Sequence, residues 1–130
     1  MADTFTGAKY VSLRSYKRNG DHVDTPVWFA HVGEQLMVFT DGTSYKVKRI
    51  RRNPKIQIAL CDVRGNLRGP WQRATCRAIE NKSEPQRVAA AYSALNAKYG
   101  LLMRFGTVFA TMFGRARRRL ILEITLDDAA

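Results

Sequence analysis

Two kinds of residue that usually carry enzyme chemistry are scarce: the 130-residue chain has two cysteines and two histidines. Cys61 and Cys76 each fall within an apolar-alternating run and have no metal-ligand spacing around them. That pattern predicts buried reduced thiols and argues against a zinc site or a disulfide framework. His22 and His31 lie at predicted strand ends, and no histidine follows His31. No Ser/His/Asp order, carboxylate pair or metal-ligand cluster stands out, so no side chain is named as catalytic. Long apolar runs are also missing. The most apolar window, Leu101 to Phe113, is broken by Arg104 and is far short of the roughly 20 residues that cross a bilayer. The start, Met1-Ala2-Asp3-Thr4-Phe5, has neither the basic residues nor the apolar core of a signal peptide, which with the free thiols leads us to expect a cytoplasmic protein. No repeat or low-complexity linker divides the chain, and its length predicts one domain over residues 1–130.

Acidic residues are the third scarcity. Eleven stand against 22 lysines and arginines, for a formal charge of +11, while 45% hydrophobic and 10% aromatic residues suffice for an ordinary core. Such a surface attracts an anion, and charge alone does not say whether that is nucleic acid, an acidic membrane face or a cofactor. The cations concentrate between Thr40 and Pro54. There Thr40, Asp41, Gly42, Thr43 and Ser44 suit a turn and a helix N-cap, and Pro54 ends the helix. Lys46, Lys48, Arg49, Arg51 and Arg52 lie in between, and Val47 and Ile50, three apart, give the helix an apolar footing. A helix start with hydroxyls and lysines around its free amides is a site for phosphate or another anion. The same residues also describe a solvated basic helix.

Around this helix the chain alternates with the two-residue period of half-buried strands. Lys9 to Lys17 is the first, followed by Asn19-Gly20, which we read as a two-residue hairpin turn with positive φ at both positions. His22 to Val32 is the second; its Pro26 predicts an edge or a bulge. Gln35 to Thr40, Lys55 to Cys61, Gly69 to Glu80 and Leu120 to Leu126 complete six. A helix opens near Ser83, with Pro85 in its first turn, Val88, Ala91, Tyr92, Leu95 and Tyr99 on its apolar face, and Gly100 as its C-cap. The apolar residues of Leu101 to Phe113 nearly encircle a helix, which predicts burial against a second subunit, a hydrophobic ligand or a membrane surface, in that order. Arg115, Arg117, Arg118 and Arg119 follow. Six antiparallel strands with one basic helix in the middle predict a small barrel, which closes its own sheet edges.

Four stretches in this order resemble the pyridoxamine-phosphate-oxidase-like split β-barrels, and within them the small actinobacterial enzymes that use the deazaflavin coenzyme F420. These are Lys9-Tyr10-Val11-Ser12-Leu13, Thr25-Pro26-Val27-Trp28-Phe29, the Thr40 to Pro54 segment, and Ile58-Ala59-Leu60-Cys61-Asp62 followed by Gly65. The resemblance implies a mainly β (α+β) fold, a six-stranded antiparallel split barrel with short helices, forming a homodimer with cofactor sites at the interface. It implies that Thr25, Pro26, Val27 and Trp28 lie along the deazaflavin ring, that Thr40, Ser44 and Lys46 hold the cofactor phosphate, and that Lys48 and Arg49 extend that grip. The expected reaction is hydride transfer from reduced F420 to a small conjugated acceptor such as an enone or quinone. A flavin mononucleotide (FMN) enzyme is the near alternative, and a non-enzymatic carrier of cofactor, haem or tetrapyrrole is a more distant one. The chain departs from pyridoxamine-phosphate oxidases proper, which end in an arginine and histidine pattern, whereas this chain ends at Leu126-Asp127-Asp128. Tyr45, Trp71 and Tyr99 are candidates for the substrate side. Nucleic-acid binding is disfavoured, since the cations cluster beside turns without a helix-turn-helix, zinc module or base-stacking sheet. The apolar-then-basic run Leu101 to Arg119 would suit peripheral membrane contact in addition to an activity.

Overall fold

A computed structural model describes residues 5, 8–41, 45–80, 82–104 and 119–127. In chain order these form β1 (Tyr10–Tyr16), β2 (His22–Trp28), β3 (Ala30–Val32), β4 (Gln35–Asp41), α1 (Tyr45–Arg52), β5 (Lys55–Cys61), β6 (Gln72–Ile79), α2 (Pro85–Arg104) and β7 (Arg119–Leu126). All pairings are antiparallel, in a single sheet of order β2-β1-β5-β6-β7-β4-β3.

That order explains why there are seven strands where the sequence pattern predicts six. The run His22 to Val32 is divided at Phe29, and its two parts lie at opposite edges of the sheet, β2 beside β1 and β3 beside β4. One residue joins two strands at opposite ends of the order, so the sheet must roll until its edges meet there. The seventh strand is the mark of that closure, and the fold is a split β-barrel. Pro26, whose missing N–H would break a central ladder, sits on the edge strand β2, registered with Ser12.

Alternation decides what faces inward. Val11 and Leu13, Leu36 and Val38, Ile56 and Ile58, Ala74 and Cys76, and Leu120, Leu122 and Ile124 fill the barrel together with Phe5 and Phe29. The odd residues of β4 and β7 point outward, where Met37 and Ile121 are covered by Val88 and Ala91 of α2. Leu95 and Tyr99 carry the same helix onto Ala30 of β3. The predicted apolar face of α2 is therefore the face that packs. At its predicted end the helical run breaks: Tyr99 is non-helical (φ −116°, ψ 15°), one residue before Gly100, and a second helical stretch then continues to Arg104. The apolar segment from residue 105 to 113 and the arginines at 115, 117 and 118 lie outside the described residues.

The first hairpin also differs from expectation. Gly20 donates to the Lys17 carbonyl at 3.1 Å and Lys17 to the Asp21 carbonyl at 2.7 Å, and in this loop Gly20 takes positive φ (92°) while Asn19 does not. This is a longer loop with one left-handed glycine, and Asn19 instead uses its side-chain oxygen to accept from the Asp21 amide at 3.0 Å.

One polar cluster ties α2 to the barrel. Glu123 on β7, only 5% exposed, accepts from Arg77 Nε at 2.8 Å and Arg87 Nε at 3.0 Å. Arg77 also grips Glu84 at 2.6 and 2.9 Å, and Arg87 reaches Gln35. Burial pushes the Glu123 carboxyl up, and the hydrogen bonds from the two guanidinium groups outweigh that and leave it below the ordinary range.

Candidate functional site

The basic helix closes one end of the barrel. Val47 and Ile50 are buried and join the interior cluster. Their burial is worth about 1.5–3 kcal/mol each, so two residues at helical spacing suffice to seat an eight-residue helix. The remaining side chains then follow from the 3.6-residue period. Lys46 reaches back to β4, its Nζ 3.0 Å from Thr40 Oγ1. Arg49 reaches across to β1, donating from Nε to Ser15 Oγ at 2.7 Å, and Arg52 donates to the Tyr16 carbonyl at 3.0 Å. Arg51 turns away to Glu80 at 3.0 Å. Lys48 is exposed and stands 5.2 Å from the ring centroid of Tyr45.

Helix α1 thus carries two hydroxyl–cation pairs, Lys46 with Thr40 on β4 and Arg49 with Ser15 on β1. Thr40 and Ser15 are buried, at 7% and 1% exposure, and both occupy inward-facing strand positions. Among the described residues no carboxylate pairs with Arg49. Burial, and then the charge of Arg52, lower the basicity of its guanidinium. A cation that is desolvated and repelled by its neighbour gains most from a bound anion. In its donor chemistry, a hydroxyl beside a fixed cation, each pair fits a phosphate oxygen.

The expected site residues fall into three groups. Lys46 meets Thr40, Arg49 lies instead against Ser15 of β1, and Lys48 is at the exposed side of the same helix; Ser44 lies outside the described residues. Thr25, Pro26, Val27 and Trp28 form the second half of β2, registered with Leu13 to Tyr10 of β1. Thr25 is opposite Leu13, two residues from the Ser15 that Arg49 holds, or about 7 Å along the strand. Pro26 is exposed, and the loop after β5 leans on it: a Cβ added to Gly65 (φ +89°) would stand 3.9 Å from the proline ring. Ser15 was not anticipated; its signal in the sequence is parity, since it continues the inward series of Val11 and Leu13.

The aromatic candidates separate. Tyr45 is 76% exposed beside the cations. Trp71 is covered by the Arg14 guanidinium, 3.9 Å from its ring centroid, and Arg14 is itself held by Asp24 at 2.8 and 3.0 Å. Tyr99 is a structural residue. It is 2% exposed, and its hydroxyl lies 2.7 Å from the Lys9 carbonyl, 2.8 Å from the Phe29 carbonyl and 3.2 Å from the Phe29 amide. These are backbone groups that the strand break at Phe29 would otherwise leave unpaired. Its ring stacks on Trp28, centroids 4.5 Å apart and planes within 4°. The orientation of Trp28 is therefore set from α2.

No protein-family model and no curated protein matches this chain. Solved structures do. An F420 reductase aligns with a TM-score of 0.68 at 20% identity, covering 98% of this chain and 93% of that one. An FAD-binding protein from Mesorhizobium loti aligns with a TM-score of 0.66 at 14% identity, covering 98% and 87%. HutZ, the haem storage protein from Vibrio cholerae, aligns with a TM-score of 0.65 at 14% identity, again covering 98% and 87%. At these identities the likeness is one of fold: the chain is a split β-barrel, an architecture shared by proteins with different ligands.

Proposed function

We propose that this protein is a coenzyme F420-dependent reductase, working as a homodimer with its cofactor sites at the subunit interface. The observation that carries this reading is the closed end of the barrel, where Lys46 meets Thr40 at 3.0 Å and Arg49 meets Ser15 at 2.7 Å. When bound, the reduced deazaflavin would supply a hydride to a small conjugated acceptor such as an enone or quinone. The chain's own task is then to hold and orient. Lys46, Arg49, Thr40 and Ser44 grip the phosphate, Lys48 adds charge at the exposed rim, and the β2 segment Thr25 to Trp28 lies along the ring and excludes water from one side. No proton donor is assigned.

FMN is the second reading, favoured by the same donor set, since hydroxyls and cations serve its phosphate equally well. Titration of Trp28 and Trp71 fluorescence with F420, FMN and haem distinguishes them. Saturable binding of F420 alone, with oxidation of the reduced cofactor on adding an enone or quinone, supports the proposal. Preference for FMN or haem keeps the barrel and changes the function. Lys46→Ala removes a charge-assisted contact worth about 1.5–3 kcal/mol, roughly 10- to 150-fold in affinity. Undiminished affinity would overturn the placement of the phosphate. Sedimentation at several concentrations tests the homodimer.

A further inference from the structure

The residues that close the barrel include one group that the proposed site does not use. Lys98 precedes Tyr99 on α2, and its Nζ is buried with no hydrogen-bond partner among the described residues. The amine stands 3.6 Å from the ring centroid of Phe29 and 5.4 Å from that of Tyr99. Among the described residues, the groups in contact with Phe29, Trp28 and Tyr99 can be named element by element. From β3 comes His31, its ring 5.8 Å from that of Phe29. From β1 and the residue before it come Tyr10, 6.4 Å from Trp28, and the Lys9 carbonyl, which the Tyr99 hydroxyl already occupies. From β2 comes Trp28, stacked on Tyr99. None of these is a carboxylate.

A neutral amine fits such a nest, whereas an ammonium there has no counter-ion among the described residues and recovers only part of its lost hydration from a ring face. The lysine stem is long enough to carry its head back to water. Tyr99, the adjacent residue, already departs from helical geometry, so the helix has its weak point where that movement would pull.

We infer that Lys98 and Tyr99 form a proton-controlled latch on the barrel closure. With Lys98 neutral, the C-terminal part of α2 is held on Phe29 and Trp28. With Lys98 protonated, the ammonium withdraws toward water and the Tyr99 ring loosens from Trp28, freeing a face of the tryptophan that lies at the end of β2. The latch stands on the Phe29 nest and does not require the reductase reading.

The test uses the full chain carrying Trp71→Phe, which leaves Trp28 as the single tryptophan, with emission recorded from roughly pH 6 to pH 10, across the range where a depressed lysine titrates. Desolvation moves the Lys98 amine down to about 8, so one transition centred near that pH is expected. Adding Lys98→Met should abolish it and fix the emission at its high-pH value. Lys98→Arg, which stays charged throughout, should fix it at the low-pH value, and His31→Gln should leave the transition in place. A flat wild-type profile, a transition that survives Lys98→Met and Lys98→Arg, or one that disappears with His31→Gln would each overturn the latch. Because the wild-type profile alone can refute it, the test holds even if one variant folds poorly.

Discussion

Replacing Tyr99 with phenylalanine removes one oxygen and should have a large effect for so small a change. Phe29 is fully buried, and its amide donates to the Tyr99 hydroxyl at 3.2 Å. That hydroxyl has a single proton to give to two carbonyls, those of Lys9 at 2.7 Å and Phe29 at 2.8 Å. Tyr99→Phe therefore loses one donated and one accepted bond and strands the Phe29 N–H. A buried donor left unsatisfied costs about 1–3 kcal/mol, and a lost net hydrogen bond about 1 kcal/mol more. We expect a destabilisation of about 2–4 kcal/mol, or roughly 8–16 °C in Tm at about 4 °C per kcal/mol for a chain of this size. The stack on Trp28 needs only the ring, so the near-ultraviolet circular dichroism of the folded variant should match the wild type. Urea denaturation of the two proteins measures the difference. A loss under about 0.5 kcal/mol would mean that the strand break satisfies its backbone without Tyr99, and would refute the account of the closure.

Two other buried charges make opposite predictions. Glu123→Gln keeps the shape but removes the charge that Arg77 and Arg87 share, and should cost about 2–3 kcal/mol at neutral pH, less than a fully enclosed pair because both arginines reach solvent. The carboxyl is held below its ordinary value, so its contribution is present above the unfolded pKa of roughly 4.3 and fades as pH falls through the folded one; the two denaturation curves should converge in acid. Lys98→Met should instead stabilise. Depressing the amine to about 8 corresponds to at most ~3 kcal/mol, reduced to about 1–2 kcal/mol by the ring contact and partial solvent access. For a lysine with a lowered folded pKa this penalty is complete below about 8 and is relieved as pH rises toward the unfolded value of roughly 10.4. The advantage of the methionine variant should shrink over that range, and a gain that persists at high pH would contradict the desolvation argument.

The strands were legible because the period of two persists over most of their length, as in β5, where Ile56 and Ile58 are buried and Lys55 and Gln57 are not. The basic helix was legible from its stop before Pro54 and from Val47 and Ile50. What the pattern could not carry were long-range facts. Nothing in the run from His22 to Val32 distinguishes Phe29 from its neighbours, because the break there is imposed by the sheet edges meeting and by a tyrosine 70 residues later. Helix α2 breaks at Tyr99, one residue before the predicted cap at Gly100, and a further helical stretch reaches Arg104. In the site, Thr40, Lys46 and Arg49 were readable as residue types near a helix start. Ser15, the partner of Arg49, required knowing that β1 runs beneath that helix.

At α1 the residues that seat the helix differ from those that charge it, and this separation can be tested without any cofactor. Val47 and Ile50 are 0% and 1% exposed and supply about 3–6 kcal/mol between them, whereas Arg49 contributes a desolvated charge that Arg52 repels. Arg49→Gln should therefore leave stability in a chloride buffer within about 0.5 kcal/mol of wild type, or slightly raise it, since the loss of the Ser15 contact is offset by relief of burial and repulsion. Inorganic phosphate should act on the two proteins differently. A ligand that binds only the folded state at 100 times its Kd adds about 2.7 kcal/mol, so titrating phosphate should raise the wild-type Tm, and the rise should be lost in Arg49→Gln and Lys46→Gln. Lys9→Gln, a change outside α1, should retain it and so controls for general charge. If phosphate raises all four melting temperatures equally, the effect is bulk screening. The cluster at the closed end would then be a solvated basic helix and no anion site.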